Sequence, residues 1–321
     1  MATSLATDLF RDTFAADVAD GLTKAQKTLP SKYLYDDVGS RLFEAITVLA
    51  EYGPTRAEAR LLRRHAAEIV SQLGEDPIVA ELGSGSGEKT RTLLRELTRR
   101  GQVDFFPIEI SPDALRACAR ELADLESVTV HGIEGEYLAG LAEVAARRDG
   151  RNLAVLFLGS TLGNLNHQKA VEFLSSIREY LRAGESLLLG VDLVKPEPVL
   201  LRAYDDDAGV TAAFNKNVLA RVNRELDADF DLSQFAHQAR FNPETSSVEM
   251  HLVALSDQAV NIKAAGDLHV SLERGETIWT ESSHKYTVDE VRQMASQSGF
   301  RCADVWVDRE WGFAELLLKA S

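Results

Sequence analysis

Three glycines within five residues follow an acidic residue at the end of an apolar run. The stretch reads IVAELGSGSGEKT over residues 78–90, with the acid at Glu81 and the glycines at Gly83, Gly85 and Gly87. Glycine lets the backbone take positive φ angles and approach a ligand closely. A carboxylate at the strand end would repel a pyrophosphate and attract an amine or a sulfonium.

The spacing of the glycines narrows the choice of ligand. A dinucleotide-binding turn reads G-x-G-x-x-G, whereas the third glycine here comes one position early and Glu88 stands in its place. The pattern E-x-G-x-G-x-G resembles the first motif of S-adenosylmethionine-dependent methyltransferases. S-adenosylmethionine is therefore the favoured cofactor, and NAD, FAD or a plain tight turn are the alternatives.

Further acidic residues come at the ends of the next two apolar runs. Glu109 ends FFPIEIS, where a carboxylate can accept hydrogen bonds from ribose hydroxyls. Glu136 and Tyr137 follow the third run, and a carboxylate beside an aromatic ring suits an adenine. Ordinary surface positions are the alternative interpretation of these residues.

The elements that must position these residues alternate between strands and helices from about 77 to 194. Short apolar runs bounded by Gly, Pro, Ser or Asn predict strands, and amphipathic segments at 88–101 and 167–182 predict helices. This βαβ order predicts a parallel, doubly wound, Rossmann-like α/β sheet. After residue 195 a helical segment is followed by short alternating runs over 232–286, which predict antiparallel strands.

The last elements are expected to return to the first sheet. Thr287 and Glu290 form a capping-box pattern at the start of a helix that stops at Gly299, and two strands follow. We therefore expect an S-adenosylmethionine-binding methyltransferase domain with an inserted α+β substrate-binding domain. The predicted ranges are 55–192 plus 287–321 for the first, and 1–54 plus 193–286 for the second.

Composition argues against several classes of protein. The chain has 321 residues, a formal net charge of −15 and a pI of about 5.0, which disfavours nucleic-acid and anionic-membrane partners. No apolar run reaches the roughly 20 residues of a membrane span, and the first thirty residues lack a signal-peptide pattern. Cys118 and Cys302 show no metal or disulfide spacing. We expect a cytoplasmic monomer that binds a small molecule and no metal.

The fourth predicted strand ends in FLGSTLGNL, residues 157–165. Together with KYLYDDVGSRLFEAIT, EYGPTRAEA, LLLGVDLVK, RAYDDDAGVTAAFNKNVLARVNREL and TESSHKY, this block resembles the L-histidine Nα-methyltransferase family of ergothioneine biosynthesis over essentially the whole chain. The resemblance implies transfer of three methyl groups from S-adenosylmethionine to the α-amine of L-histidine. The product would be hercynine, formed through methylated intermediates.

The resemblance also implies which residues form the sites. Those expected to contact the cofactor are Tyr35, Gly83, Gly85, Lys89, Glu109, Glu136 and Tyr137. Those expected to contact the substrate are Tyr52, Asn164, Tyr204, Glu281 and Ser283, with Met250 and Phe43 lining the same pocket. Asn164 and Tyr52 are the catalytic candidates. The family pattern has Asp in place of Glu109, Asp-Phe in place of Glu136-Tyr137, and a second tyrosine at Gly53.

The same substrate residues have a chemical interpretation. The amide oxygen of Asn164 can accept a hydrogen bond from the substrate amine, and the hydroxyls of Tyr52 and Tyr204 can donate to its carboxylate. In a strand, Glu281 and Ser283 point to one face, where a carboxylate and a hydroxyl can address both imidazole nitrogens. Without the resemblance, three other interpretations remain possible. Asn164 could cap a loop, Tyr52 and Tyr204 could be ordinary half-buried tyrosines, and Glu281 and Ser283 could lie on a solvated strand face.

Three rival functions follow from the same residues. The first is methylation of another amino acid, such as tryptophan or tyrosine, but an indole would favour smaller, apolar residues than Met250 and Glu281. The second is an NAD-dependent oxidoreductase, which Glu81 and the early third glycine disfavour. The third is a non-catalytic regulator that binds the cofactor, which the presence of Tyr52 and Asn164 disfavours.

Overall fold

The computed structural model describes residues 2–321, with side chains described from residue 11 onward. Contacts within the chain divide it into two units. The first unit comprises Met1–Tyr52 and Pro196–Ser283, and the second comprises Gly53–Lys195 and His284–Ser321.

Ten helices and fourteen strands occur in the described part of the chain. The helices are α1 Ala2–Leu22, α2 Asp37–Thr47, α3 Pro54–Gln72, α4 Arg91–Leu97, α5 Pro112–Glu121, α6 Tyr137–Arg147, α7 His167–Tyr180, α8 Glu197–Tyr204, α9 Val210–Leu226 and α10 Val288–Gln297. The strands are β1 Lys27–Thr28, β2 Ile78–Leu82, β3 Val103–Glu109, β4 Val128–Val130, β5 Ile133–Glu134, β6 Leu153–Phe157, β7 Ser186–Asp192, β8 Phe235–Asn242, β9 Ser247–Ala254, β10 Gln258–Ile262, β11 Leu268–Leu272, β12 Thr277–His284, β13 Phe300–Asp308 and β14 Phe313–Ala320.

The second unit is built on one sheet with the order β13-β14-β7-β6-β2-β3-β4, in which β5 also pairs with β3. The pairs among β2, β3, β4, β6 and β7 are parallel, and β14 runs antiparallel to both β7 and β13. The predicted parallel, doubly wound sheet is confirmed, and the two last strands complete it. The chain reverses its direction of winding between β2 and β6, which makes their carboxyl ends the switch point where such sheets bind ligands.

Strand β6 shows why the apolar runs predict this sheet. It is buried at every position, as expected for a strand covered on both faces. Leu153, Val155 and Phe157 pack with helices α6, α7 and α10 on one face, whereas Ala154 and Leu156 pack with α3 and α4 on the other. The two-residue period of a strand thus supplies two separate cores.

The predicted capping box is present at the start of α10. The Thr287 side chain accepts from the backbone N–H of Glu290, and the Glu290 carboxylate accepts from the backbone N–H of Thr287. Gly299 follows the helix with a φ of 78°. The helix therefore begins and ends where its sequence signals predict.

The first unit has a four-stranded sheet, β1-β12-β9-β8, and a two-stranded sheet, β10-β11. Strands β8 and β9 are antiparallel, as the alternating runs predict, but β1 pairs in parallel with β12. The segment predicted to be helical after residue 195 is divided into α8 and α9. The Asp206 carboxylate accepts from the backbone N–H groups of Val210 and Thr211 at 2.9 and 2.7 Å, so it satisfies two N–H groups in the first turn of α9.

Among the described residues, no helix combines the length and the apolar character that a membrane span requires. Within the same residues, no group of three or more His, Cys, Asp or Glu side chains could hold a metal ion.

Candidate cofactor and substrate sites

The glycine turn follows β2 in the second unit. Gly83, Gly85 and Gly87 have φ angles of 73°, 53° and 77°, which side chains rarely tolerate. A Cβ atom on Gly83 would lie 2.9 Å from the Tyr137 hydroxyl, and one on Gly87 would lie 2.7 Å from Cys118 Sγ. Apart from Gly85 itself and its two chain neighbours, no described residue lies within 4 Å of its Cβ position, so the backbone there can approach a ligand.

Glu81 does not take the ligand-facing role that its position in the sequence suggests. Its side chain is 1 % exposed and accepts from Thr90 Oγ1 at 2.7 Å. Burial raises the pKa of Glu81 to about 8. The carboxyl group lies beneath the turn and ties β2 to the start of α4, so its charge gives no argument for a cationic ligand.

Glu109, at the end of β3, lies beside the glycine turn. Its carboxylate accepts from the backbone N–H of Gly85 at 3.4 Å and from that of Ile110 at 2.9 Å. Burial raises the pKa of Glu109, although the backbone N–H groups act in the opposite direction. The structure thus brings together two of the predicted cofactor residues, Gly85 and Glu109.

Tyr137 also reaches the turn, whereas Glu136 is exposed at the start of α6. The Tyr137 ring packs edge-on against Phe157 and Phe173, with centroids 5.8 and 6.2 Å away. Its hydroxyl is the group that a side chain on Gly83 would meet. Burial raises the pKa of Tyr137, so the phenol is neutral and can act as a donor.

Lys89 is held by a residue that the sequence analysis did not select. Its Nζ lies 2.5 Å from Oε2 of Glu58, and Oε1 of Glu58 accepts from the backbone N–H of Gly159, also at 2.5 Å. Glu58 is fully buried on α3. An acid on the same helix face as Leu61 and Leu62 was the available signal, since charged residues are almost never fully buried without a partner.

Asn164 lies in a short 3-10 turn, Thr161–Asn164, that follows β6. Ser160 before it has a φ of 59°, and its Oγ accepts from the backbone N–H of Asp192 at 2.8 Å. The side-chain amide of Asn164 is partly exposed and makes no hydrogen bond with the other described residues. The described contacts therefore give no support to the alternative of a loop-capping asparagine.

In the first unit, five of the predicted site residues form one connected cluster. The Tyr204 hydroxyl donates to Ser283 Oγ at 2.7 Å. Ring contacts then lead from Tyr204 to Tyr52 at 6.3 Å, from Tyr52 to Phe43 at 6.2 Å and from Phe43 to Tyr35 at 5.5 Å between centroids. Tyr35, predicted as a cofactor contact, is thus grouped with predicted substrate residues.

The predicted recognition strand β12 has a buried face. Glu281 is 8 % exposed and Ser283 is 7 % exposed, so the alternative of a solvated strand face is wrong. Met250 lies on the neighbouring strand β9 and is also buried. A carboxylate and a hydroxyl two residues apart therefore share a protected surface, which strengthens hydrogen bonds to a ligand.

A polar network missed by the sequence analysis supports this cluster. His237 Nε2 donates to the carbonyl of Tyr204 at 2.8 Å, and Asn215 Nδ2 donates to His237 Nδ1 at 2.9 Å. Asn215 Oδ1 accepts from Thr280 Oγ1 at 2.6 Å. Burial lowers the pKa of His237. The network fixes the neutral Nε2–H tautomer and links Tyr204 to the residue before Glu281.

The glycine turn at the switch point of a doubly wound sheet is typical of an α/β protein that binds a nucleotide cofactor. The chain matches, over residues 14–320, the family described as histidine-specific, SAM-dependent methyltransferases. It belongs to that family. The predicted S-adenosylmethionine cofactor is confirmed at the level of the family, and the NAD-dependent alternative is not supported.

Curated relatives agree with this family. The chain is 45 % identical to a histidine N-alpha-methyltransferase of Mycolicibacterium smegmatis, over 96 % of this chain and 95 % of the relative. It is 44 % identical to the protein of the same name from Mycobacterium tuberculosis, over 92 % of each chain. It is 26 % identical to a 4-dimethylallyltryptophan N-methyltransferase of Penicillium roqueforti, over 93 % of this chain and 92 % of the relative.

Proposed function

We propose that this protein transfers methyl groups from S-adenosylmethionine to the α-amine of L-histidine, three in succession, to give hercynine. The observation that carries the proposal is the cluster in which Tyr204 donates to Ser283 beside the buried Glu281. It supplies a polar surface suited to an imidazole, in a chain that belongs to the histidine-specific family.

We assign the cofactor to the second unit. The residues that would hold it are Gly83, Gly85, Lys89, Glu109, Glu136 and Tyr137, and Tyr35 stays a predicted cofactor contact by resemblance. The fit has a structural basis, because the space at the Cβ position of Gly85 is open and the Glu109 carboxylate lies at the same turn. When bound, S-adenosylmethionine supplies an electrophilic methyl group on a sulfonium.

We assign recognition of the imidazole to Glu281 and Ser283 in the first unit. The Ser283 oxygen accepts from Tyr204, and we assign the Ser283 hydroxyl to one nitrogen of the imidazole as a donor. The Glu281 carboxylate can accept from the other nitrogen. One donor and one acceptor match a neutral imidazole, which carries one N–H group and one unprotonated nitrogen.

Tyr204 has two roles in this proposal. In the structure its hydroxyl donates to Ser283, which orients the serine. Donation to the substrate carboxylate stays the role predicted for Tyr52 and Tyr204. Met250 and Phe43 would complete the apolar lining of the same pocket.

The amine must lose its proton before it can accept a methyl group, since an α-ammonium is mostly protonated at pH 7. Asn164 can accept a hydrogen bond from the amine through its amide oxygen without adding a charge. Tyr52 is the second group proposed to act on the amino acid during transfer. Alignment of the lone pair supplies much of the acceleration, up to roughly 7–11 kcal/mol in intramolecular systems.

The proposal is tested by calorimetric titration of L-histidine into the protein with S-adenosylhomocysteine present. L-tryptophan and L-tyrosine are titrated in parallel, because relatives of this family include a tryptophan-derivative methyltransferase. Selective binding of histidine is expected. Selective binding of another amino acid would assign a different substrate to the protein. Absence of amino-acid binding with the nucleotide bound would refute the assignment of substrate recognition to the first unit.

A further inference from the structure

Two fully buried carboxyl groups, Glu58 on α3 and Glu315 on β14, face one another in the second unit. A Cβ atom on Gly190 of β7 would lie 2.5 Å from Oε1 of Glu58 and 3.1 Å from Oε1 of Glu315, so both groups converge on that glycine. Neither oxygen of Glu315 has a hydrogen-bond donor among the described residues. The neighbour that could satisfy it is the Glu58 carboxyl group.

The charges around this pair do not balance if both acids are ionised. Lys89 lies 2.5 Å from Glu58 and supplies a single positive charge. The other ionisable neighbour of Glu315 is the acid Glu81, which supplies no positive charge. A buried carboxylate without a donor or a cation of its own costs several kcal/mol. Burial, followed by the Glu58 charge, raises the pKa of Glu315 well above its usual value.

We propose that Glu315 is a neutral carboxylic acid that donates a hydrogen bond to Glu58, and that this acid–carboxylate pair positions Lys89 and Gly159 at the switch point of the sheet. Two carboxyl groups in contact share a single proton more readily than they both ionise. The inference rests on the proposed function in one respect, which is the contact of Lys89 with the cofactor.

The pair connects the two strands whose carboxyl ends form the switch point. Lys89 follows the glycine turn after β2, and Gly159 follows β6 and precedes the turn that carries Asn164. Glu58 accepts from Lys89 and from the Gly159 backbone through different oxygens. One buried carboxylate therefore fixes both turns, and the proton on Glu315 determines its orientation.

The proton on Glu315 also sets the net charge of the group formed by Lys89, Glu58 and Glu315. With Glu315 neutral, one carboxylate balances one ammonium, and the Lys89 side chain, 28 % exposed, can still attract the carboxylate of the methionine part of the cofactor. Burial acts to lower the pKa of Lys89, but the charge of Glu58, its hydrogen bond and the neighbouring acids together raise it. A second ionised acid would leave a net negative charge beneath the turn and weaken that attraction.

Infrared spectroscopy and nucleotide binding test the proposal together. At neutral pH the wild-type protein should show carbonyl stretches of protonated carboxylic acids, one from Glu315 and one from Glu81, whose pKa is raised to about 8. Glu315→Gln should remove the Glu315 component and leave that of Glu81. Glutamine keeps the shape of the neutral acid and can donate to Glu58, so the affinity for S-adenosylhomocysteine should change by less than about threefold. Glu58→Gln should weaken that affinity by about tenfold or more, because a charge-assisted bond to Lys89 is lost.

Three outcomes would overturn the proposal: a carbonyl band that keeps its full wild-type intensity in Glu315→Gln, an equal loss of affinity in both variants, or a lower Tm in Glu58→Gln with unchanged affinity. Glu143→Gln, an exposed change on α6, is the matched control and should alter neither the carbonyl band nor the affinity for S-adenosylhomocysteine. If Glu58→Gln does not fold, the spectra of the wild type and Glu315→Gln still decide where the proton lies.

Lys89→Met separates this inference from the proposed function. Loss of affinity for S-adenosylhomocysteine in this variant supports the role of Lys89 in cofactor binding. Unchanged affinity would refute that role and with it the positioning part of the inference, while the carbonyl band would still decide the shared proton. Failure of the wild-type protein to bind L-histidine would refute the proposed substrate and leave the carboxyl pair unaffected.

Discussion

Replacement of Glu281 by alanine should weaken histidine binding and leave nucleotide binding nearly intact. The carboxylate is 8 % exposed on β12, so a hydrogen bond from the imidazole would form away from bulk water. Such a bond to a charged group is worth about 1.5–3 kcal/mol, which corresponds to roughly a 10- to 150-fold increase in the Kd for L-histidine. The unpaired imidazole N–H left behind adds to the loss.

Calorimetry on the protein bound to S-adenosylhomocysteine measures this effect directly. Glu281→Gln keeps the side-chain volume and removes only the charge, so its loss should be smaller than that of Glu281→Ala. Ser282→Ala, the next residue on the opposite face of the strand, is the matched control and should bind histidine like the wild type. An equal loss of both ligands in Glu281→Ala, or no loss at all, would refute the recognition role.

Three further predictions follow from the same structure. Asn164→Ala should reduce kcat by about fivefold or more with little change in Tm, since hydrogen bonds of this kind are worth about 1 kcal/mol or more and no described residue forms a hydrogen bond with this amide; an insoluble variant would contradict it. Gly190→Ala should lower the free energy of unfolding by about 1–3 kcal/mol, because the new methyl group would crowd Glu58, and an unchanged Tm would show that the carboxyl pair yields easily. Burial lowers the pKa of His237 in the folded protein, so its contribution to stability is present above about pH 6.5 and is lost as the pH falls through the folded pKa; His237→Gln should flatten the fall of Tm between about pH 7 and 5, and the same slope in both proteins would contradict the network.

Sequence patterns predicted those helices and strands whose formation depends on neighbouring residues in the chain. The apolar run NLAVLFLGS predicted β6 as a strand covered on both faces, and Thr287 with Glu290 predicted the start of α10. Strand β1 could not be found in this way. It has only Lys27 and Thr28, and it exists because the backbone pairs with a strand about 250 residues later.

The residues of the candidate site also differ in whether local sequence patterns could place them. The glycine turn and Glu109 could be placed from sequence, since the carboxyl ends of neighbouring parallel strands lie together. Glu58 and Glu315 could not, because the burial of an acid depends on partners that are distant in the chain. The position of Glu81 suggested a charged group facing a ligand, but its hydrogen bond with Thr90 turns it beneath the loop.

The central claim is methylation of the α-amine of L-histidine, and mass spectrometry of the reaction mixture tests it most directly. The purified protein is incubated with S-adenosylmethionine and an equal mixture of L-histidine, L-tryptophan and L-tyrosine. Histidine should gain up to three methyl groups on its α-nitrogen, and the other two amino acids should be unchanged. Methylation of another amino acid in preference to histidine, or of the imidazole ring instead of the amine, would contradict the account.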